Sequence, residues 1–429
     1  MEKTLRLFDQ DSFIRTFTAK VLSCEPLSGP LRDLFADYLK KHPEAAASQE
    51  GNHEEASERP SLWCVILDRT AFFPEGGGQG SDTGTLIPRL ADDAISEGIS
   101  ILDVQEKDGV ICHLAAAPVP EGTEVSGSIC WPLRFDRIQQ HSGEHLFSGL
   151  VHSLYGYNNV GFHLGDDVTT LDFSGPLTKE QAKDIEDRVN EAIFADIPVR
   201  VFYPAQEELS SLPYRSKIEI EGQVRLVEFP GYDLCACCAP HVHSTGQIGL
   251  LKVVHVMSHR GGVRISILCG KRALADYSEK QEQVKEISVL LSAKETAVAD
   301  AVRRLGDEIY SLRGELMQLR QARLDRELEQ LPEDSRDVLY ILEALPTDAV
   351  REFVNRLMER CTGICCAFYG DEKNGFQYII GSRSTDLRPF CKEMNAALSG
   401  RGGGRPEMVQ GSVKAGADAI RAWMGSYMN

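Results

Sequence analysis

The sequence predicts an α+β protein of several domains, and three observations on its 429 residues lead to that prediction. Short apolar runs that alternate with polar residues dominate the first part of the chain, which indicates strands. The apolar period becomes helical near Arg134, and a heptad repeat follows between residues 275 and 331. We therefore expect a β-barrel at 1–133, an α+β domain at 134–272, a helical or coiled-coil spacer at 273–332 and a C-terminal α/β domain at 333–429.

The composition indicates a cytoplasmic protein. The chain is 42% hydrophobic, has no apolar run near the roughly 20 residues of a membrane helix, and starts with MEKTLRLFDQDSF, which has no signal-peptide core. Its twelve cysteines are expected to be thiols or metal ligands, with a disulfide framework as the alternative. The net charge of −18 argues against indiscriminate nucleic-acid binding but permits a local basic patch.

The barrel is predicted from strand-like runs such as FTAKVLSCEPL, LWCVILDRTAFF and SILDVQEKDGVICHL. The polar segment from Lys40 to Pro60 is interpreted as an exposed loop. The run DRTAFFPEGGGQGSDTG contains Gly76, Gly77 and Gly78, which allow a close backbone approach to a ligand or a neighbouring domain. A tight β-turn is the alternative, and the run lacks the Lys-Ser/Thr of a P-loop.

Two helices are predicted after the barrel. The first ends at Gly156 and has one apolar face that also carries a histidine: Ile138, His145, Leu146 and Leu150. The second begins after Thr178, with acidic residues in its first turns. Strand-like segments surround both helices, so an α+β domain is expected here.

A heptad repeat characterises the spacer. Apolar residues recur every seven positions at Val284, Leu291, Val298, Leu305, Leu312 and Leu319. A second seam from the third of these onward consists of Val302, Ile309 and Leu316. This spacing predicts a coiled coil through which the chain could form a homodimer. The alternative is a long amphipathic helix packed on its own domain.

Two pairs of potential metal ligands share a four-residue spacing. His141 and His145, in HSGEH, project from one face of the first predicted helix. Cys237 and His241, in DLCACCAPHVH, are also four apart, and Pro240 between them predicts a turn. Three imidazoles and one thiolate predict a zinc site, because zinc prefers nitrogen and sulfur ligands. By spacing alone, three neighbours compete for the place of the cysteine ligand: Cys235, Cys238 and His243.

The run HSGEH also matches H-x-x-E-H, the inverzincin metallopeptidase pattern, in which Glu144 would activate a zinc water. That pattern leaves the Cys–His cluster unexplained, so a metallopeptidase is the weaker hypothesis. Otherwise Glu144 has three candidate roles, which are a catalytic base, a group that orients a zinc-binding histidine, or a surface residue.

Four motifs in a fixed order resemble the long form of the AlaX-type alanyl-tRNA editing proteins: FFPEGGGQ, HSGEH, CCAPHVHSTGQIG and RISILCGKRAL. The glycine-rich motif of that family is similar to Pro74–Gln79, and its H-x-x-x-H and C-x-x-x-H motifs are similar to the two four-spaced pairs. The run Thr245–Gly249 after the second pair favours Cys237 as the cysteine ligand. The tail GGGRPEMVQGS is similar to the DHH-associated domain that closes alanyl-tRNA synthetases, so the resemblance covers almost the whole chain.

The resemblance implies an aminoacyl-tRNA deacylase of protein biosynthesis. Such an enzyme works without ATP at a site with one Zn²⁺ per chain, hydrolyses the ester of serine or glycine wrongly attached to tRNA(Ala), and needs no membrane. A second site is required because an alanine pocket discriminates against such small residues by only about 1–3 kcal/mol. No aminoacylation domain precedes the barrel, so charging of tRNA is not expected. A non-catalytic, zinc-stabilised tRNA-binding protein is the alternative.

Two departures from the synthetase editing domains concern the pocket. Glu144 stands where those domains usually have threonine, and Cys238-Ala239-Pro240 stands in place of Gly-Gly-Thr. The resemblance suggests a set of residues for the substrate pocket: Gly76, Gly77, Gly78, Gln79 and His163. Basic residues near the motifs are candidates for binding tRNA, with solvation or pairing with Asp and Glu as the alternative: Arg134, Arg137, Arg260, Arg264, Lys271, Arg272, Arg401 and Arg405. The C-terminal domain could also hold tRNA or form the homodimer.

The number of protein ligands would decide the role of the zinc ion. Four zinc ligands would close the metal shell, whereas three would leave room for a water.

Overall fold

The computed structural model describes residues 2–44, 62–89, 97–216, 222–332 and 335–428. Most of the predicted loop from Lys40 to Pro60 lies outside these residues. The chain divides into two compact units, Met1–Gln283 and Val284–Asn429. The predicted α+β, multidomain character is confirmed, and the finer four-segment division stays a prediction. Among the helices described, none combines the length and the apolar character that a membrane span requires.

The first unit begins with a closed six-stranded β-barrel, as the alternating apolar runs predict. The elements here are β1 (Leu5–Arg6), α1 (Leu7–Gln10), β2 (Thr16–Pro26), α2 (Gly29–Leu34), α3 (Ala36–Lys41), β3 (Trp63–Leu67), β4 (Arg69–Thr70), β5 (Gly84–Pro88), β6 (Ile99–Lys107), β7 (Val110–Ala115) and β8 (Glu124–Ile129). The barrel closes in the order β2-β3-β7-β6-β5-β8, with every neighbouring pair antiparallel. Alternate residues of β2, namely Phe17, Ala19 and Val21, are buried in its core.

A long helix and two sheets follow the barrel in the same unit. The elements are α4 (Trp131–Tyr155), β9 (Asn159–Leu164), β10 (Thr169–Phe173), α5 (Lys179–Phe194), β11 (Arg200–Phe202), α6 (Gln206–Leu209), β12 (Leu226–Phe229), β13 (Asp233–Ala236), β14 (Leu251–His259), β15 (Gly262–Cys269) and α7 (Gly270–Leu290). One sheet has the order β14-β15-β10-β9 and the other β11-β12-β13. Strands of both sheets and helix α5 share one apolar core with α4.

Helix α4 is buried on all sides along its middle part, since every residue from Ile138 to Val151 is buried. A helix in that position is usually apolar all round, so buried polar groups on it point to a function. Its predicted end is confirmed, because Gly156 caps it with a left-handed φ of 71°. The predicted start of α5 is also confirmed by a capping box between Thr178 and Gln181.

The second unit contains a five-stranded sheet with helices. Its elements after α7 are α8 (Val298–Glu329), β16 (Val338–Leu342), α9 (Thr347–Arg360), β17 (Ile364–Asp371), β18 (Gly375–Ser382), α10 (Leu387–Ala397), β19 (Gly400–Arg405), β20 (Met408–Val413) and α11 (Ala417–Tyr427). The strand order is β16-β17-β18-β20-β19. One apolar core includes residues of α10 and α11, and the other includes residues of α8 and α9.

The heptad repeat lies on two helices. Helix α7 ends at Leu290, a 3₁₀ turn spans Glu295–Ala297, and α8 begins at Val298. Leu291, a predicted seam residue, therefore lies outside a helix. The apolar seam from Val302 to Leu319 is exposed on α8, and its pairing as a coiled coil stays a prediction.

Candidate metal centre

The four residues predicted to bind zinc meet in the first unit. His141 and His145 lie one turn apart on α4, while Cys237 and His241 lie in the loop after β13. Their candidate ligand atoms all lie within 4.8 Å of one another. The Cys237 Sγ atom is 3.7 Å from His141 Nε2 and 3.4 Å from His241 Nε2. The two sequence pairs thus form one cluster.

Each histidine of the cluster has its other ring nitrogen hydrogen-bonded to a buried oxygen. The Nδ1 atom of His141 lies 3.1 Å from the Gln79 side-chain oxygen, that of His145 lies 2.9 Å from Asp233 Oδ2, and that of His241 lies 3.1 Å from Ser142 Oγ. With Nδ1–H as the donor in each bond, the Nε2 lone pairs are left for a metal. Metal-binding histidines in proteins are generally oriented in this way.

The loop that carries Cys237, the candidate cysteine ligand, is held in place by Arg225. Its NH1 atom donates to the backbone oxygens of Cys237 and Ala239, at 2.8 and 2.9 Å. Pro240 follows directly, and the segment is irregular, as the proline predicts. The loop therefore presents Cys237 and His241 in a fixed geometry.

The donor set fits zinc. Zinc bonds of about 2.0–2.3 Å in a tetrahedron separate the ligand atoms by about 3.3–3.8 Å, and both sulfur–nitrogen distances fall in that range. Burial raises the pKa of Cys237, but His141 and His241 outweigh it, so that pKa is held well below its ordinary value. Burial lowers the pKa of His241 to about 3. The thiolate and the neutral imidazole are the forms that bind metals. Burial would lower the pKa of His145, but Asp233 and Cys237 raise it to about 10, so this ring would give up a proton on binding a metal.

The structure distinguishes Cys237 from the three residues that compete with it as the cysteine ligand, because each of them has different surroundings. Cys238 is exposed, and the His243 ring stacks on Phe13 while its Nε2 lies 2.8 Å from Asp11 Oδ1. Cys235 is buried and belongs to a second group with His145 and Asp233. The Asp233 carboxylate of that second group already accepts a hydrogen bond from a guanidinium group, because Arg215 Nε donates to it at 2.7 Å.

Glu144 is buried between the two α4 histidines, so the interpretation of it as a surface residue is wrong. Its Oε1 atom accepts hydrogen bonds from Ser148 Oγ at 2.8 Å and Asn159 Nδ2 at 2.6 Å. Its Oε2 atom lies 3.8 Å from His145 Nε2, a candidate metal-binding atom. One oxygen is thus fixed by hydrogen bonds while the other lies beside a candidate ligand of the cluster.

The glycine-rich motif contacts the cluster directly. Gly76 and Gln79 exchange two backbone hydrogen bonds of 3.0 Å, which form a tight turn, and Gln79 contacts His141. Gly78 has a φ of 81°, and a Cβ atom there would lie 2.5 Å from the Phe162 ring. The motif is therefore both a β-turn and part of the site, so the two interpretations of the run are compatible.

Two other predicted residues of the first unit do not join the cluster, and a third belongs to the second unit. His163 is exposed, and its neighbour on β9, Phe162, contacts the His141 ring instead, at 4.8 Å between centroids. Arg264 donates two hydrogen bonds of 2.6 Å to Asp172. Arg405 lies exposed on β19, in the second unit.

Several basic residues suggested for tRNA have structural partners. Arg134 is fully buried and paired with Asp82, so it cannot contact tRNA. Arg137 donates to the backbone oxygen of Ser81, and Arg272 is paired with Asp136 at 2.6 Å. These three arginines therefore connect parts of the first unit, whereas Lys271, next to Arg272 in the same motif, is exposed.

A cavity of about 490 Å³ opens beside the cluster. His141, Glu144, His145 and Cys237 form part of its wall, together with four charged residues: Arg6, Asp9, Arg215 and Arg225. Burial raises the pKa of Asp9, with the two nearby arginines Arg225 and Arg6 acting in the opposite direction. The cavity combines a candidate metal site with charges of both signs.

The residues that orient the candidate ligands and Glu144 were not predicted from the sequence. Asp233 is the first residue of the run DLCACCAPHVH, and an acidic residue beside a Cys–His cluster is a usable signal for a histidine partner. Ser142 lies next to His141 in HSGEH, but its contact with His241 depends on the fold. Nothing in the sequence connects Asn159 to Glu144.

Comparisons with known proteins agree with the sequence motifs. Residues 224–266 match the family model described as "Threonyl and Alanyl tRNA synthetase second additional domain", and residues 30–132 match "tRNA synthetases class II (A)". The alanyl-tRNA editing protein AlaX-L of Pyrococcus horikoshii is 24% identical over 83% of this chain and 89% of its own length. The alanyl-tRNA editing protein Aarsd1 of Danio rerio is 25% identical over 94% and 92%. The resemblance predicted from the sequence is thus confirmed over most of the chain.

Alanine–tRNA ligases are also similar to this chain, but only through part of their length. The alanine–tRNA ligase of Archaeoglobus fulgidus is 28% identical over 89% of this chain and 46% of its own length. The chain spans less than half the length of the curated ligases that it matches.

Proposed function

We propose that this chain is an aminoacyl-tRNA deacylase that acts in trans, removing serine or glycine from mischarged tRNA(Ala). The observation that carries the proposal is the buried His–Cys cluster beside a cavity, in a chain similar to named editing proteins along nearly its full length. The four segments then correspond to a barrel, a zinc-binding editing domain, a spacer and a DHH-associated-like domain. The protein would work in the cytoplasm, where charged tRNA is used.

One zinc ion per chain is proposed to bind His141, His145, Cys237 and His241. When bound, zinc would hold these four side chains in place beside the cavity, and its positive charge would stabilise negative charge that develops on the ester. Four protein ligands close a tetrahedral shell, which favours a positioning role for the metal over direct activation of water.

Glu144 is proposed as the catalytic base. A water oxygen adds to the ester carbonyl carbon while the water proton passes to Glu144 Oε2. The ester C–O bond then breaks, and that proton returns to the ribose oxygen of the leaving tRNA. The hydrogen bonds from Ser148 and Asn159 to Oε1 keep Oε2 directed at the cavity. No nucleotide is consumed in this sequence.

Gln79 is proposed to bind a substrate oxygen. Its side-chain nitrogen is buried and has no hydrogen-bond partner among the described residues, while its oxygen orients His141. A buried donor without a partner costs about 1–3 kcal/mol, which a carbonyl oxygen of the substrate would recover. Asp9, in the wall of the cavity, is a candidate partner for the amino group of the attached amino acid.

The test is deacylation of Ser-, Gly- and Ala-tRNA(Ala) by the intact chain, Cys237→Ala and Cys130→Ala, with zinc measured in each. We expect loss of serine or glycine, retention of alanine, and no activity or zinc in Cys237→Ala. The Cys130→Ala variant, which removes an exposed cysteine outside the cluster and the cavity, is the control and should keep both. Tight tRNA binding without hydrolysis by the zinc-loaded chain would instead support a non-catalytic binding protein. Peptide cleavage that is independent of Cys237 would support a metallopeptidase.

A second variant separates catalysis from metal binding. Glu144→Gln should lower the deacylation rate by about 10²–10⁴ while zinc content stays the same, since loss of a general base has an effect of that size. A Glu144→Gln variant with normal rate and normal zinc would remove the base assignment.

A further inference from the structure

The cavity beside the cluster is larger than the amino acid that the proposed reaction removes. Its volume of about 490 Å³ lies within the range of about 300–1,000 Å³ for pockets that enclose a drug-sized ligand. A glycyl or seryl group is much smaller than such a ligand. In an aminoacyl-tRNA this group is esterified to the ribose of the 3′-terminal adenosine, so a nucleoside must lie next to the reacting bond. Part of the cavity wall is therefore expected to contact that nucleoside.

Three neighbouring strands contribute one residue each to a row that leads from the cluster towards the surface. The first residue of β12 lies opposite Phe202 of β11 and opposite Ala236 of β13. The next position of the same register brings together Tyr203, Arg225 and Cys237. The backbone supports the inner half of the row, because Cys237 N donates a hydrogen bond to Arg225 O at 3.1 Å.

The side chains of this row lie on the face of the sheet that borders the cavity. Residues directly opposite each other in antiparallel strands project to the same face, and neighbours along one strand project to opposite faces. The preceding position of the register packs in a small apolar core of its own: Phe202, Leu226 and Ala236. Cys237 packs instead against the core that contains α4. Tyr203 and Arg225 share the cavity wall with Cys237, in agreement with this alternation.

Arg225, in the middle of the row, has one donor that its own contacts leave over. The side chain is only 9% exposed, and its NH1 atom already holds the loop of Cys237. Its Nε atom is buried and has no hydrogen-bond partner among the described residues. The Asp9 carboxylate pairs with it in charge, but Asp9 Oδ1 is 3.7 Å away, beyond hydrogen-bond reach. A buried N–H without a partner is unfavourable, and a ribose hydroxyl or a ring nitrogen of a base would satisfy it.

Tyr203, at the outer end of the row, offers an aromatic surface. Its side chain lines the cavity and is still 42% exposed, so the ring lies where the cavity meets solvent. Two strand spacings of about 4.8 Å place its Cα atom about 10 Å from that of Cys237, which is the reach of a ribose with its base. Burial raises the pKa of Tyr203, and Asp9 adds to this effect while Arg225 opposes it, so the phenol lies close to both charges.

We propose that Tyr203 is a positioning residue that stacks on the adenine of the tRNA 3′ end, while Arg225 Nε donates a hydrogen bond to the same nucleoside. The aminoacyl group then extends along the row to the cluster and Glu144. This inference rests on the proposed deacylase function and adds to it the subsite of the leaving group. Stacking on an aromatic ring is tolerant of sequence, and every tRNA ends in the same nucleoside. The contact therefore aligns the ester without distinguishing one tRNA from another.

The test is binding of a stable analogue, 3′-deoxy-3′-(L-serylamino)adenosine, in which an amide replaces the ester. It is compared with the same compound carrying hydrogen in place of the base. Loss of the base should weaken binding to the intact chain about 5–150-fold, which corresponds to about 1–3 kcal/mol. Tyr203→Ala should bind both compounds weakly and equally. Tyr203→Phe should keep the preference for the compound with the base, because the ring is kept.

Tyr277→Ala is the matched control, since it removes another exposed tyrosine of the first unit, outside the cavity. It should bind both compounds as the intact chain does. If loss of the base weakened binding equally in the intact chain and in Tyr203→Ala, the proposal would be overturned. An intact chain that does not bind the analogue at all would overturn it too.

Deacylation of Ser-tRNA(Ala) by the same proteins separates this proposal from the proposed function. Tyr203→Ala should lower kcat/KM by the same factor and keep its zinc, whereas Tyr203→Phe should resemble the intact chain. A chain that deacylates the tRNA but shows no dependence on the base at Tyr203 would contradict the stacking role alone. A chain that binds the analogue through Tyr203 without any deacylation would support the nucleoside site and contradict the deacylase.

Discussion

The three histidines of the cluster are each oriented by a different kind of oxygen, and this decides how firmly each would hold a metal. Gln79 supplies an amide oxygen, Ser142 a hydroxyl and Asp233 a carboxylate. Asp233 is held in turn by Arg215, through contacts of 2.7 and 2.8 Å. A carboxylate makes the opposite ring nitrogen a stronger ligand, so we expect Asp233 to contribute most of the three.

Replacing Asp233 with asparagine is therefore predicted to weaken zinc binding by about 10–100-fold, the usual effect of losing such a partner. The measurement is competition for zinc against a chromophoric chelator at fixed pH. Asp172→Asn is the control, because it removes a carboxylate that is paired with Arg264, outside the cluster. If Asp233→Asn bound zinc as tightly as the intact chain, the carboxylate would have no role in holding the metal.

At the scale of single elements, the turn Gly76–Gln79 is the most constrained part of the site. Gly77 and Gly78 both have positive φ, at 61° and 81°, so alanine at either position should cost about 1–2 kcal/mol in unfolding free energy. Only at Gly78 would the new Cβ atom also strike Phe162, which packs on His141. Gly78→Ala should thus lose zinc affinity as well as stability, and Gly77→Ala mainly stability. Urea unfolding and zinc titration check this, and equal zinc affinities of the two variants would contradict it.

The barrel contains its own pH-sensitive group, His113 on β7. Burial lowers its pKa from 6.5 to about 4, and the ring bonds Val65 O at 3.0 Å and Thr70 Oγ1 at 2.9 Å. The unfolded chain therefore binds a proton at His113 between these pH values while the folded chain does not, so stability falls as the pH falls through that window. The loss should be about 3 kcal/mol at most, from about 1.4 kcal/mol per pKa unit.

His113→Gln tests this contribution. Unfolding free energies of the intact chain and the variant at pH 7 and pH 4, in matched buffers, cancel the effects of all other groups. The intact chain should lose more stability on acidification than the variant, by up to about 3 kcal/mol. Identical losses would show that His113 does not titrate as its burial implies.

Helix ends that are marked by local residues could be predicted from the sequence, whereas a break between two helices within a continuous heptad repeat could not. Gly156 and Thr178 mark helix ends through chemistry local to the backbone, and both predictions are confirmed. The predicted heptad repeat continued across the break between α7 and α8, because Leu291 and Val298 are one heptad apart. Periodicity records spacing, and a break that preserves the spacing is invisible to it.

At the scale of the whole molecule, the site depends on contacts between distant parts of the chain. The ligand pairs could be predicted because each is four residues apart, but their partners Gln79 and Asp233 lie 62 and 88 residues from the histidines that they orient. Strand register decides another case, since Phe162 faces the cluster and the next residue, His163, is exposed. A shift of one residue along a strand reverses the face, and sequence alone does not determine it.

The net charge of −18 makes binding of a polyanion such as tRNA depend on a few local cations. Arg405, exposed on β19, stays a candidate phosphate contact, whereas Arg134, Arg137 and Arg272 have partners in their own unit. If Arg405 neutralises one phosphate, Arg405→Ala should reduce the slope of log affinity against log salt concentration by about 0.7–0.9.

The slope is the informative quantity, because a variant that merely disturbs the fold lowers affinity without removing a released counterion. Titrations of intact chain, Arg405→Ala and Arg388→Ala with tRNA(Ala) at several salt concentrations supply it. Arg388 is an exposed arginine of the same unit that pairs with Asp386 at 2.6 Å, so its removal should leave the slope unchanged. A smaller slope for Arg405→Ala alone would place tRNA phosphate on β19. Equal slopes for all three proteins would mean that tRNA is bound elsewhere.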